Sequence, residues 1–254
     1  SMKSTDEGSP SDIWICRTDG SEARRLAKDG TFPSFNADGT EAELSGNGLR
    51  CAMACLVHHK KVRGPKVVFQ TPVGSRTCEV MESRGALYEI RNNMGVPHFR
   101  SSEIPFDDGN AYERLIDYPM PINRRTFEVT CVSMGNPHCD IFVERFPARI
   151  EWHQIGREIE SHPFFPNRTN VEFIRVLNRG EIEVLFWERG VGETLSSGSG
   201  SSAAAVASVL KGLTDRTVRV WTSMGSLVVE WPLDDQVYQA GPAEVVFDGD
   251  YPAR

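Results

Sequence analysis

The chain has 254 residues, 39% of them hydrophobic and 25% charged, with a formal net charge of −7. That is enough apolar material for one large or two medium globular domains, and an acidic balance without a sustained Lys/Arg cluster argues against a nucleic-acid partner. No apolar run reaches the roughly 18 residues that span a bilayer and no signal-peptide pattern opens the chain, so no membrane partner and a cytoplasmic protein are expected.

The first informative stretch is Phe35 to Val57, FNADGTEAELSGNGLRCAMACLV. A polar loop ending in Ser45-Gly46-Asn47-Gly48 runs directly into small and apolar residues, the signature of a helix entrance. His58-His59-Lys60-Lys61 closes that helix, where cations complement the dipole. Lys66 to Met81 then reads as a hairpin turning at Val73-Gly74, and RTFEVTCVSM, from Arg125, as a strand rich in β-branched residues. The motif SMGNPH covers Ser133 to His138, and NRTN covers Asn167 to Asn170. A further strand, GEIEVLFWER from Gly180, leads into a second glycine loop.

That loop is WERGVGETLSSGSGSSAAAVASV, Trp187 to Val209. With a constant offset of 152 positions, Trp187 falls on Phe35, Glu193 on Glu41, and Ser197-Gly198-Ser199-Gly200 on Ser45-Gly46-Asn47-Gly48. Beyond the helix, Thr222 to Ser226 matches Thr71 to Ser75, and Val218 to Trp231 reads as a second hairpin, around Met224-Gly225. An ordered set of matches predicts two homologous halves, taken here as residues 1–120 and 121–254. The helix after Gly200 has no polar face before Lys211, which predicts burial on all sides by sheet. In the second half, Asn136 lies 61 positions before Ser197. The same spacing before Ser45 runs off the chain, so the first half is expected to lack its opening strand and one asparagine.

A Ser-Gly-x-Gly helix entrance can be read in two ways. Serine is a favoured N-cap in any helix. The unpaired N–H groups of the first turn, with the positive end of the dipole behind them and glycine allowing close approach, also suit a carboxylate or phosphate. Two matched copies favour the second reading. A ligand held between them would meet Ser45 and Ser197 from opposite sides, the geometry that a cofactor-free racemase requires. Asn36, Asn136, Asn170, Glu188 and Arg189 are the polar residues expected nearby, with arginine suited to a substrate carboxylate; an ion pair between Arg189 and Glu193 is the competing reading of that arginine.

Six cysteines, at 16, 51, 55, 78, 131 and 139, show no metal-ligand spacing, so no metal is expected and core or supporting thiols are. Strand alternation points Cys139 away from His138. Dinucleotide fingerprints and a Schiff-base lysine context are missing, so no cofactor is expected.

Taken together, FNADGTEAE-SGNG-RC, GNPHC, NRTN and ERGVGET--SGSG resemble the diaminopimelate epimerase family of pyridoxal-phosphate-independent isomerases, over about Asp12 to Tyr251. The resemblance implies two similar α/β (α+β) domains, each a mainly antiparallel barrel-like sheet around a central helix, closing over a small amino-acid substrate. It implies that Asn36, Asn136, Asn170, Glu188 and Arg189 bind that amino acid. Gly46-Asn47 and Gly198-Ser199 would hold its α-carboxylate, and His138 and Glu188 would tune the two bases. Family members carry cysteine where this chain has Ser45 and Ser197. A thiol gives a thiolate near neutral pH and a serine hydroxyl does not, so impaired epimerisation is expected. A dehydratase or double-bond isomerase of the same fold group, using Glu188 or His138 as base, and an inactive amino-acid-binding protein are the alternatives. A homodimer is compatible with the sequence.

Overall fold

The computed structural model describes residues 13–15, 24–27, 45–71 and 73–247. The chain divides into two compact units, one comprising Ser1–Phe35, Gly39–Asn92 and Gly241–Arg254, the other Asn36–Asp38 and Asn93–Ala240. Position 120/121, where the sequence reading divides the halves, falls within a strand of the second unit.

In the first unit, strands β1 (Ile13–Ile15) and β2 (Arg24–Ala27) pair antiparallel. Helix α1 (Gly46–His58) precedes β3 (Lys66–Thr71), β4 (Gly74–Arg84) and β5 (Leu87–Gly95, of which Leu87–Asn92 belong to this unit), an antiparallel meander. The β3–β4 turn closes with Thr71 opposite Gly74, as the sequence predicts. Gly74 has φ +99°, a left-handed conformation that a β-carbon disfavours. Helix α1 buries Leu49, Arg50, Ala52, Met53 and Ala54, residues three and four apart that share one face.

The second unit holds β6 (Leu115–Ile122), β7 (Arg125–Ser133), β8 (Pro137–Phe142), α2 (Arg149–Glu160), β9 (Asn170–Asn178), β10 (Glu181–Glu188), β11 (Gly192–Thr194), α3 (Gly198–Leu210), β12 (Thr217–Thr222), β13 (Gly225–Glu230) and the first four residues of β14 (Val237–Glu244). The sheet order is β6-β7-β8-β9-β10-β12-β13-β14, with β11 beside β10. Among the described strand neighbours of this unit, β8/β9 and β10/β12 pair in parallel and the others antiparallel. Parallel neighbours need a crossover, and α2 and α3 are those two crossovers.

Composition decides which helix goes inside. Helix α3 is buried at every position from Gly198 to Ser208 and packs against β7, β8, β9, β10, β12 and β13. Its alanines and serines let strands approach closely all round, and the sheet wraps it as the apolar run predicts. Helix α2 is amphipathic: Trp152, Ile155, Gly156 and Ile159 face inward, at helical spacing, while Ile150 is exposed. It lies on the opposite face of the sheet in an apolar cluster with Cys131, Cys139, Ile141, Val171, Phe173 and Trp187. Gly156 is required there, because a β-carbon would stand 2.8 Å from Trp187 Cγ. Fully burying side chains such as Phe173 or Ile159 contributes about 1.5–3 kcal/mol each.

Candidate functional site: two matched helix entrances and a buried carboxyl cluster

Ser45 and Ser197 cap their helices in the same way. Each has an extended backbone, φ −125° and ψ 105° for Ser45 and φ −132° and ψ 129° for Ser197. Ser45 Oγ accepts from Gly48 N at 3.0 Å, and Ser197 Oγ from Gly200 N at 3.2 Å. The next residue in each is braced by an amide from a strand: Asn92 Nδ2 donates to Gly46 O at 2.9 Å, and Gln239 Nε2 to Gly198 O at 2.7 Å. Asn92 lies on β5 and Gln239 on β14, each the third strand after its helix. The repeat read from sequence thus extends to side chains that the aligned motifs do not contain. Each cap satisfies one of the four N–H groups that a helix start leaves without an intrahelical partner. Asn47, exposed in the first turn of α1, accepts from Arg50 Nη2 at 2.5 Å.

Around Ser197 the second unit assembles a polar cluster. Strand alternation on β8 sends His138 and Asp140 toward α3, and Cys139 and Ile141 toward the α2 cluster, as expected for Cys139. His138 Nδ1 lies 2.8 Å from Glu172 Oε1, and its Nε2 lies 2.9 Å from Asn136 Oδ1. Asn136 Nδ2 is 3.4 Å from Ser199 Oγ. Glu188, at the end of β10, accepts a hydrogen bond from Ser197. Burial raises the Glu188 carboxyl above its ordinary range, with that hydrogen bond opposing. Burial also pushes Glu172 well up, reinforced by Glu188, and pushes Asp140 well up, reinforced by Glu172. An imidazole, a hydroxyl and a carboxyl with elevated proton affinity therefore stand at one helix entrance, a set able to exchange protons with a bound ligand.

The turn carrying Glu188 and Arg189 is anchored from below. Glu160, at the end of α2, accepts from Gly190 N at 2.8 Å, Trp187 Nε1 at 2.7 Å and Arg168 Nη1 at 3.3 Å. Asn170 ties two segments together, donating to Pro137 O and accepting from Arg189 N, both at 2.9 Å. Its amide is therefore a brace between the GNPH loop and the Arg189 turn. The Arg189 side chain reaches Asn167 O at 3.4 Å. Glu193 is taken by Arg149 and by His153, at 3.0 Å, so the ion pair considered between Arg189 and Glu193 is replaced by partners from α2.

Of the expected residues, Ser197, Gly198, Ser199, Glu188, Arg189, Asn136, His138 and Asn170 form one contiguous neighbourhood. Ser45, Gly46 and Asn47 are placed at the matching entrance of the first unit, and Asn36 lies outside the described residues. Glu172, Asp140 and Glu160 are the polar residues that sequence reading misses. Alternation from His138 and Asn170 points Asp140 and Glu172 to the same face; Glu160 has no comparable signal.

The thiols divide. Cys78, Cys131 and Cys139 are buried, and burial raises Cys78 to about 12 and Cys139 well above the ordinary thiol range, as inert core thiols require. Cys51 is exposed, not part of the core, because the buried face of α1 is defined by Leu49, Ala52 and Met53. Among the described residues, no group of three His, Cys, Asp or Glu side chains is placed to hold a metal ion, and no helix is long and apolar enough to cross a membrane.

Comparison with known proteins adds a family. Residues 130–246 match the family model described as diaminopimelate epimerase. The chain is 43% identical over 220 residues to diaminopimelate epimerase of Pelotomaculum thermopropionicum, covering 87% of this chain and 78% of that protein. It is 42% identical over 219 residues to that of Moorella thermoacetica, covering 86% and 77%. In fold it is similar to the crystal structure of a hydroxyproline epimerase from Agrobacterium vitis, with TM-score 0.61, 13% identity, and coverage of 92% of this chain and 72% of that one.

Proposed function

The chain belongs to the diaminopimelate epimerase family, and from that membership we infer a pyridoxal-phosphate-independent isomerase that interconverts LL- and meso-diaminopimelate in lysine and peptidoglycan biosynthesis. The reaction moves protons only. One group takes the Cα proton from one face of the amino acid, and an acid opposite delivers a proton to the other face. The observation that carries this reading is the matched pair of serine-capped glycine entrances, with Glu188 hydrogen-bonded to one cap.

In this reading the two caps act on one ligand from opposite faces. Gly46-Asn47 and Gly198-Ser199 receive its α-carboxylate on first-turn N–H groups. Asn36, Asn136, Asn170, Glu188 and Arg189 hold the remaining polar groups, with Glu188 and His138 tuning the bases. Serine stands where the family resemblance places cysteine. A hydroxyl is a much weaker acid than a thiol, whose reference pKa is about 8.5, so proton exchange by this chain is slow. Two homologous halves, a cytoplasmic location and a homodimer belong to the same proposal.

The test is to replace Ser45→Cys together with Ser197→Cys and to follow loss of the Cα proton of LL- and meso-diaminopimelate by NMR in deuterated buffer. The double variant should create or greatly increase exchange, because two thiols at helix N-termini can alternate as base and acid. Each single variant should support exchange from one face only. A double variant that folds and binds the diamino acid yet exchanges nothing would overturn the epimerase reading in favour of a dehydratase, a double-bond isomerase or a binding protein.

A further inference from the structure

Behind Ser197 the second unit buries two carboxyl groups, Asp140 and Glu172, that the proposed proton transfer leaves without a role. Both, and His138 between them and the helix entrance, are 0% exposed. Asp140 and Glu172 stand side by side in the parallel β8/β9 register. Neither oxygen of Asp140, nor Glu172 Oε2, has a hydrogen-bond partner among the described residues. Glu172 Oε1 has one partner position, His138 Nδ1 at 2.8 Å, and it lies under Gly200, where a β-carbon would come within 2.6 Å of it.

Among the described residues, the ionisable groups that the neighbouring strands set around this imidazole are acids. Strand β8 contributes Asp140, β9 Glu172 and β10 Glu188, while the buried stretch of α3 against them, Gly198 to Ser208, contains only glycine, serine, alanine and valine. Three carboxylates cannot all ionise in such a place without large cost, because each unpaired buried charge is strongly penalised. The hydrogen-bond roles then follow from what each atom can do. Asn136 Oδ1 only accepts, so His138 Nε2, 2.9 Å away, carries the ring proton. Complete burial of His138 favours the uncharged ring; a neutral ring of that tautomer has a lone pair at Nδ1, and the group facing it must donate. An ionised carboxylate cannot donate, whereas a protonated one can.

We propose that Glu172 is held as a neutral carboxylic acid that donates its O–H to His138 Nδ1 and locks the imidazole in its Nε2–H tautomer. His138 then donates to Asn136 Oδ1, and that bond turns the Asn136 N–H₂ toward Ser199 at the helix entrance. Glu172 is a positioning residue: it acts on the ligand site through His138 and Asn136. The consequence for ligand binding rests on the functional reading above; the tautomer does not.

Long-range proton–nitrogen correlation spectra of the full chain labelled with nitrogen-15 read the tautomer directly, with the His138 ring identified by its loss in His138→Asn. The expected pattern is one protonated nitrogen, Nε2, and an unprotonated Nδ1, unchanged from about pH 6 to 8. Glu172→Gln should preserve that pattern, since its amide N–H replaces the acid O–H, and should keep calorimetric affinity for meso-diaminopimelate within about twofold. Glu172→Leu, which has no donor, should mix the tautomers and weaken binding roughly tenfold, the equivalent of one charge-neutral hydrogen bond. An Nδ1–H tautomer or an imidazolium in the unmodified chain would overturn the proposal, as would Glu172→Gln behaving like Glu172→Leu. If the unmodified chain shows the Nε2–H tautomer but binds no diaminopimelate, the functional reading fails and the hydrogen-bond assignment stands.

Discussion

Gly200 sits in the first turn of α3 with its Cα against the cluster just described, and Gly200→Ala is a measurable probe of how tightly that cluster is packed. In an ordinary helix this change stabilises by up to about 1 kcal/mol, because alanine has the higher helix propensity. Here the added β-carbon would meet Glu172 Oε1 at 2.6 Å and Phe186 Cδ1 and Cε1 at 2.9 and 3.1 Å. Comfortable carbon contacts are about 3.5–4.0 Å, so the neighbours must open by roughly 0.5–1 Å. Neither can move cheaply. Phe186 is 1% exposed and Glu172 is tied to His138. Overpacking of this kind costs about 1–3 kcal/mol, which after a propensity gain of about 1 kcal/mol leaves a net loss of up to about 2 kcal/mol. For a chain of this size that lowers the Tm by up to roughly 8 °C. Urea and thermal unfolding monitored by tryptophan fluorescence would measure it. Gly180→Ala, whose β-carbon would meet Asn178 Oδ1 at an ordinary 3.6 Å, is the control and should be neutral or slightly stabilising. If Gly200→Ala instead gains the roughly 1 kcal/mol of an unhindered helix position, the close packing of α3 on Glu172 and Phe186 is wrong.

Four further outcomes are expected. Ser197→Ala should cost about 1 kcal/mol through loss of the N-cap and should move the Glu188 carboxyl further up, since the lost hydrogen bond lowers it; urea unfolding and a carbon-13 carboxyl titration read the two effects, and an unmoved Glu188 would contradict the contact. Asp140 holds its proton more tightly in the folded chain than its ordinary value of 3.8, so its contribution is fully favourable below that value and is lost as pH rises toward the raised one. Asp140→Asn, which cannot ionise, should therefore gain stability relative to the unmodified chain between pH 4 and 8; a constant difference across that range would refute the assignment. Glu160→Ala leaves Trp187 Nε1 and Gly190 N without their acceptor, at about 1–3 kcal/mol each, and a total loss under about 1 kcal/mol would show that the anchor is not needed. Arg189→Ala should weaken calorimetric binding of diaminopimelate by about 1.5–3 kcal/mol if a charge-assisted bond is lost; unchanged affinity would remove Arg189 from the ligand site.

What the sequence by itself determined is local in chain distance. Ser45 and Ser197 read as helix caps because an N-cap bonds three residues ahead, so Gly48 and Gly200 appear in the same short motif. The burial of α3 is written in its unbroken run of small residues, and both hairpin turns in their glycines. Helix α2, absent from the elements read from the sequence, carries the same kind of signal, with Trp152, Ile155, Gly156 and Ile159 at helical spacing. The tertiary structure alone decided the rest. Glu172 meets His138 because β8 and β9 pair in parallel with His138 opposite Asn170, a register set by the crossover through α2. Glu160 reaches Gly190 from 30 positions away, and Asn92 and Gln239 brace their helices from the third strand onward. Arg149 and His153 claim Glu193 from a helix that lies on the far face of the sheet from α3. A hydrogen bond between side chains more than a turn or two apart leaves no periodic trace in the sequence, because it depends on strand order and register, which many apolar patterns permit and one packing selects.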